Sequence, residues 1–230
     1  MAKRKLVVLS GAGMSAESGI NTFRGDDGLW EGHDVMEVAS PIGWNKNPDI
    51  VLDFYNKRRR QLLDVKPNTA HKALAELESE YDVHIITQNV DDLHERAGSS
   101  KVLHLHGELL KVRSTLDESY ILDWKKDINI GDCCPKNGQL RPHIVWFGEA
   151  VPAIEEAITI TETAEIVVVI GTSLQVYPAA GLMNYAPSHS PVFYIDPKPA
   201  SVYGMANKVE IIPATATLGV PVFIEKLKSL

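Results

Sequence analysis

The chain is poor in cysteine, with 2 residues in 230, and Cys133 and Cys134 stand side by side. Adjacent thiols offer no disulfide framework, so a hydrophobic core must hold the fold, and a reducing cytoplasm is the expected home. No apolar run approaches membrane-spanning length, so no membrane partner is expected. The first apolar run, KLVVLS, is too short for a secretory leader and passes directly into Gly-Ala-Gly. Positive charge is also scarce. Lys and Arg number 23 against 30 Asp and Glu, a net charge of -7, and the pI is near 5.6. That balance argues against a nucleic-acid partner, which selects for a basic patch. The hydrophobic share of 44% and charged share of 23% are ordinary for a globular protein, and 230 residues suit a single domain with a small insertion.

What the chain does have is a recurrence of short β-branched runs. They lie at 5–10, 83–88, 102–105, 165–171, 191–196 and 209–212. Near-continuous runs such as EIVVVIG are the signature of strands buried on both faces. Helical stretches lie between several of them. Asn47-Pro48 supplies an N-cap and a first-turn proline for DIVLDFYNKRRRQLL. TAHKALAELESEY places Ala73, Leu74 and Leu77 on one face, one further helix precedes EIVVVIG, and the last covers VPVFIEKLKSL. Alternation of this kind predicts an α/β, Rossmann-like open parallel sheet with helices on both faces. Residues 25–60 carry helices and no obvious strand, and 108–145 are irregular and polar. Both read as insertions building a smaller lobe on a single domain over 1–230. The Rossmann-like part then comes from about 1–24, 61–107 and 146–230.

GAGMSAESGI follows the first strand directly. Gly11, Ala12 and Gly13 let a backbone approach a phosphate, the next helix start offers N–H groups, and Ser15 and Ser18 add hydroxyls. A dehydrogenase would carry an acidic residue about twenty positions on to grip a ribose. Asn21, Phe23 and Arg24 stand in that region instead, so an ordinary dehydrogenase is disfavoured while a dinucleotide is not.

Five segments, in order, complete the pattern: GAGMSAESGINTFRG, TQNVDDLHERAG, HLHGEL, LRPHIVWFGE and GTSLQVYPAAG. Together they span most of the chain and resemble the sirtuins. The resemblance implies an NAD-dependent protein deacylase. Such an enzyme transfers an acyl group from a lysine side chain of a protein substrate to the ADP-ribose part of NAD, releasing nicotinamide. The acyl oxygen attacks the ribose carbon that held nicotinamide, and a histidine then serves as general base on a ribose hydroxyl. The matching position is His106, before Gly107; His104 lies two residues earlier on the same strand. A near-neutral pKa suits imidazole to that task. By the same resemblance Gln88, Asn89 and Asp91 surround the nicotinamide and its ribose, with Asn89 positioning the ribose or a water. Asp91 also opens a helix. Phe23 and Arg24 lie on a loop covering the cofactor, where excluding water prevents wasteful hydrolysis. Gly171, Thr172 and Ser173 meet phosphate or ribose, Asp196 the adenosine ribose, and Ala216 the adenine.

Tyr55 and Arg58, three residues apart, share a helix face. They resemble the Tyr-x-x-Arg pair of the sirtuin subclass that removes succinyl and malonyl groups. Ala39 falls where that subclass has a small, pocket-widening residue. A guanidinium grips a carboxylate through two parallel bonds and a tyrosine hydroxyl adds a third. Bacterial sirtuins with this pair also remove acetyl, so dual use is implied. Val145, Phe147, Gly148 and Glu149, with Val176 in LQVY, match peptide-binding segments between which an extended substrate lies as an added strand.

The resemblance breaks in one place. Most sirtuins hold a structural zinc on two Cys-x-x-Cys pairs, and closed zinc sites need four ligands. Here Ser114 and Asp117 replace the first pair, and the second aligns with Cys134-Pro135-Lys136-Asn137. No zinc is expected, and the lobe must instead pack on residues such as Leu122 and Trp124. Two alternatives stay open: a sensor binding NAD or ADP-ribose without turnover, and an ADP-ribosyltransferase using the same site on another acceptor.

Overall fold

The computed structural model describes residues 2–21, 29–30, 32–202 and 204–230. In chain order the strands are β1 (Lys5–Ser10), β2 (Leu29–Trp30), β3 (His33–Asp34), β4 (Asp82–Thr87), β5 (Val102–His104), β6 (Gly107–Ser114), β7 (Ile121–Asp123), β8 (Leu140–Ile144), β9 (Ile166–Ile170), β10 (Val192–Ile195) and β11 (Val209–Ile212). The helices are α1 (Gly13–Ala16), α2 (Val35–Val38), α3 (Pro41–Lys46), α4 (Pro48–Asp64), α5 (Thr69–Glu76), α6 (Leu93–Ala97), α7 (Ile154–Glu162) and α8 (Ala216–Leu227).

Six strands form the main sheet in the order β11-β10-β9-β1-β4-β5, every pair parallel. β1 sits at the centre, pairing Leu6 with Val83 on one side and with Ile166 on the other. Its side chains alternate between two cores, as the strand period requires. Leu6 and Val8 pack with Leu74 of α5 and Val220 and Phe223 of α8. Val7 and Leu9 pack with Ala157 of α7 and with Leu182 and Met183 of a 3-10 turn at Ala179–Tyr185. Each fully buried aliphatic side chain contributes about 1.5–3 kcal/mol, so two-sided burial explains why KLVVLS and IVVVI persist as strands. The chain runs from β1 outward to β5, then returns to β9 on the other flank of β1. The β1/β9 boundary is therefore the topological switch point, where open α/β sheets form a ligand crevice.

The inserted lobe departs from expectation. Residues 108–145 were expected to be irregular, yet β7-β6-β8 form an antiparallel sheet. β7 is exposed throughout, and Pro142 lies inside β8. Both features disguise strands in sequence. Pro142 is tolerated because β8 is an edge strand and pairs beside a register shift between Glu108 and Val112. In 25–60 a two-residue hairpin joins β2 to β3 through Gly32, at φ +83°, where no strand was expected. Helix α4 begins as its sequence dictates, with Asn47 Oδ1 accepting from the Ile50 N–H at 3.3 Å. The lobe packs on Leu52, Val112, Ile128, Cys134 and Leu140, with Trp124 against them. Leu122 is exposed instead, because its side of β7 faces solvent.

Candidate functional site

A cavity of about 950 Å³ opens at the switch point and runs toward α4. Its floor is backbone. The Gly13 N–H donates to the Gly171 carbonyl at 2.8 Å. A Cβ at Gly11 would come within 2.7 Å of the Thr172 Cβ, and one at Gly13 within 2.7 Å of the Gly171 Cα. Gly171 itself stands at φ +63°. The glycines thus serve first to bring the ends of β1 and β9 together. The helix expected after the loop is one turn, α1, and the Gly13, Met14 and Ser15 N–H groups are already bonded to carbonyls. The dipole of so short a helix therefore adds little here, and the cradle is one of shape.

Ser15 is a junction. Asn89 Nδ2 donates to its hydroxyl at 3.1 Å, and the hydroxyl bonds the Asp91 carboxyl. Asp91 is almost fully buried, and burial raises its pKa despite the bonds from the Leu93 N–H and Ser15. Its helix, α6, starts two residues later than expected because Asp91 Oδ1 caps the Leu93 N–H. Behind Ser15, His71 and His94 meet edge to face at 4.8 Å. The Asn68 N–H donates to His71 Nδ1, so His71 carries its hydrogen on Nε2, 3.5 Å from Ser15 Oγ. Burial pushes the His71 pKa down to about 4 and that of His94 well below the ordinary value.

His106 lies at the mouth of this group. Its Nδ1 is 3.0 Å from the Gln88 carbonyl. A carbonyl only accepts, so Nδ1 holds the hydrogen and Nε2 keeps its lone pair. Burial lowers the His106 pKa, partly offset by that bond, which keeps the ring neutral. His104 is its opposite. Burial works against its charge, but the Glu95 carboxylate, 2.7 Å from Nε2, outweighs burial and raises its pKa. His106 lines the cavity and His104 does not.

The cavity also takes in Gly11, Ala12, Gly13, Ser15, Gln88, Asn89, Asp91, Gly171, Thr172, Ser173 and Asp196 at the sheet edge, and Val145, Phe147, Gly148, Glu149 and Val176 on its flank. Gln88 Nε2 ties to Thr172 Oγ1 at 3.2 Å, bridging the two halves. Phe23 and Arg24 lie outside the described residues. Two expected residues are not brought in. Ala216 begins α8 and packs in the core with Ile195 and Val220. Ser18 lies outside the lining, its hydroxyl buried. Glu149 reaches the cavity, but its carboxylate accepts from Arg141, Arg113 and the Trp146 N–H, so only its main chain is left for a peptide.

At the far end Tyr55, fully buried, and Arg58, 7% exposed, line the wall together with Ala39. The Arg58 guanidinium lies 4.3 Å from the Trp30 ring centroid and 5.5 Å from that of Phe54. The Tyr55 hydroxyl oxygen accepts from Trp146 Nε1 at 3.1 Å, leaving its own hydrogen to donate. Burial raises the Tyr55 pKa, so the hydroxyl stays protonated. The neighbours in the Arg-Arg-Arg run part company. Arg59 is buried against the Leu109 carbonyl and Asn56, while exposed Arg60 pairs with Asp127. Sequence reading passed over Gln61 and Leu62, which also line this wall. Their spacing of three and four from Arg58 was the available signal. Trp146 and Lys198 were passed over too, each a neighbour of a residue already singled out. In the small lobe Cys134 Sγ accepts from Ser114 Oγ at 3.2 Å and the Gly138 N–H at 3.3 Å.

Comparison with known proteins gives a consistent result. The family model described as "Sir2 family" matches residues 11–178. An NAD-dependent protein deacylase of Helicobacter pylori strain ATCC 700392 / 26695 is 60% identical over 97% of both chains. One of Bacteroides thetaiotaomicron is 52% identical over 99% of this chain and 97% of that one. Among solved structures, a Sir2 homolog–NAD complex superposes with a TM-score of 0.87 at 36% identity, covering 99% of this chain and 90% of its own. A mutant Sir2 homologue bound to ADP-ribose gives 0.88 at 36% identity, with 99% and 93% covered.

Proposed function

The chain belongs to the Sir2 family and is an NAD-dependent protein deacylase, and from that premise we propose that it removes short acidic acyl groups, succinyl and malonyl, as well as acetyl. The observation that carries this reading is the buried Tyr55–Arg58 pair on the cavity wall, one helical turn apart. A carboxylate entering an apolar pocket loses hydration worth several kcal/mol (about 3–5 by the cost of breaking a buried pair) unless a cation and donors replace it. A guanidinium offers paired N–H groups and the protonated tyrosine a further donor. Acetyl reaches neither and leaves that end of the pocket unfilled.

The remaining residues fit the cofactor. NAD, when bound, supplies the acceptor for the acyl group, yielding nicotinamide and O-acyl-ADP-ribose. Gly11, Gly13 and Gly171 make a floor that a Cβ would fill, and such a floor suits close approach of a diphosphate. Ser15, Asn89 and Asp91 would hold the nicotinamide side. Gln88 orients His106 through its carbonyl, and the Nε2 lone pair takes a proton from a ribose hydroxyl. Asp196, at the end of β10, would accept from the adenosine ribose. Residues 145–149 and 174–177 flank the same cavity and would pair with an extended substrate through main-chain bonds. We assign the enzyme to the cytoplasm, without nucleic-acid or membrane partners, and without structural zinc. What supports the last point is Cys134, whose sulfur is held by Ser114 and Gly138.

The test uses one peptide in acetyl-lysine and succinyl-lysine forms, with NAD, and follows deacylated product by mass. NAD-dependent turnover of both is expected, and Arg58→Met lowers succinyl kcat/KM about 10- to 100-fold, the size of a charge-assisted hydrogen bond. Turnover of acetyl alone by the unaltered enzyme sinks the acidic-acyl reading.

A further inference from the structure

Behind the acyl wall, and outside the cavity, two guanidinium groups share one carboxylate. Arg141 of β8 donates to Glu149 Oε1 at 2.8 Å and to Oε2 at 2.9 Å. Arg113 of β6 donates to Oε2 at 3.0 Å. Both arginines also reach the Ile144 carbonyl. Each is only 8% exposed, and neither lines the cavity. The Arg141 guanidinium carbon lies 3.4 Å from the centroid of the Trp146 ring. The Trp146 N–H is anchored on Glu149 at one end, and its indole Nε1 donates to the Tyr55 hydroxyl at the other. An unbroken set of contacts therefore runs from Arg141 through Trp146 to Tyr55.

We infer that Arg141 is a positioning residue for acidic acyl selectivity, acting on a group it never touches through the Trp146 indole and Tyr55. This rests on the acidic-acyl reading above. Two effects combine. The first is geometric. With its oxygen accepting from the indole, the Tyr55 hydroxyl can direct its hydrogen only away from Trp146, toward the cavity. The guanidinium stacked on the indole fixes the plane that sets this direction. The second is electrostatic. Arg113, Arg141 and Glu149 together keep one surplus positive charge directly behind the wall, in low-dielectric surroundings where its field reaches farther than in water. An acyl carboxylate feels that charge in addition to Arg58, whereas an acetyl group does not. The carboxylate of Glu149 thereby serves the pocket from behind, holding the two arginines in place.

The experiment compares succinyl-lysine, acetyl-lysine and neutral succinamoyl-lysine forms of one peptide on the full enzyme, Arg141→Met, Arg141→Lys and Trp146→Phe. The readout is the ratio of kcat/KM values, since general damage to the fold lowers all three substrates together and leaves the ratio in place. Arg141→Met is expected to lower the succinyl-to-acetyl ratio about tenfold, through KM, and to narrow the preference for succinyl over succinamoyl. Arg141→Lys recovers part of the succinyl-over-succinamoyl preference because the charge returns. Trp146→Phe keeps an aromatic ring but removes the bond to Tyr55, and lowers the succinyl-to-acetyl ratio while retaining the preference for charge. Unchanged ratios in Arg141→Met and Trp146→Phe overturn the inference even where the unaltered enzyme removes succinyl. Absence of succinyl turnover in the unaltered enzyme strikes the underlying reading instead.

Discussion

The imidazole Nδ1 of His106 stands 3.0 Å from the backbone carbonyl of Gln88, and this bond decides which nitrogen is basic. His106→Ala is expected to lower kcat by about 10²–10⁴, the usual worth of a positioned general base. The Kd for NAD, measured by calorimetry, should change little by comparison. Because burial lowers the His106 pKa, the neutral base persists below the ordinary 6.5. The acid limb of the rate profile should therefore fall below that value. A limb above 6.5 would assign the base elsewhere.

The buried histidines behind Ser15 make stability pH-dependent. His71 titrates near 4 when folded and near the ordinary 6.5 when unfolded. Between those values the unfolded chain binds the extra proton, so stability falls as pH drops through that window and levels off below about 4. The span corresponds to about 3 kcal/mol for His71 alone. Urea unfolding should show a lower midpoint at pH 5 than at pH 7, and His71→Gln should flatten the difference. His104 acts with the opposite sign, since its raised pKa adds stability at low pH that is lost as pH rises through the folded value. A pH dependence of the midpoint that is the same in the unaltered protein and in His71→Gln would show that His71 does not contribute in this window.

Gly171→Ala should be damaging on two counts. The residue adopts φ +63°, and the new methyl would collide with the Met14 backbone nitrogen. Strain and overpacking of this kind cost about 1–3 kcal/mol. A lower melting temperature with weakened NAD binding is expected, and a variant with native NAD affinity would show that the floor can spread.

The arginine run offers an internal control. Arg59→Ala leaves the Leu109 carbonyl without its partner in the interior, while Asn56 keeps its bonds to Ile128, and should cost about 1–3 kcal/mol, the penalty of an unsatisfied buried acceptor. Arg60→Ala removes only an exposed pair with Asp127 and should fall within about 1 kcal/mol. Chemical unfolding of the two variants checks the contrast.

Metal analysis should find well below one zinc per chain, and treatment with EDTA should leave the melting temperature in place. A stoichiometric metal, or collapse on chelation, would show that the lobe around Cys134 is built on ligands rather than on Leu52, Val112 and Ile128.

The main sheet was readable because β1 and β9 are buried on both faces, and such strands have no polar alternation to obscure them. That His106, Asn89 and the glycines share one cavity was legible because the five segments that carry the family resemblance stand in order along the chain. The small sheet was not, since β7 is wholly exposed and β8 contains Pro142, and neither satisfies the rules that identify a strand. That the Glu149 carboxylate is turned to the two arginines, and that Ala216 packs in the core, could not be read for another reason. Which way a side chain turns at a strand or helix end depends on partners far away in sequence, here Arg113 and Arg141 for the one and the core under β10 for the other.

The central position of β1 has a consequence for biosynthesis. Its partner Ile166 lies about 160 residues beyond Leu6, and contacts of such separation form late. While the ribosome is still making the middle of the protein, KLVVLS has β4 to shelter one edge and nothing for the other. Every nascent chain therefore passes through a stage in which one edge of its central strand is open to neighbouring polypeptides, and the nucleotide floor cannot assemble until nearly three-quarters of the protein has been translated. Slow translation before β9 should then favour aggregation over assembly.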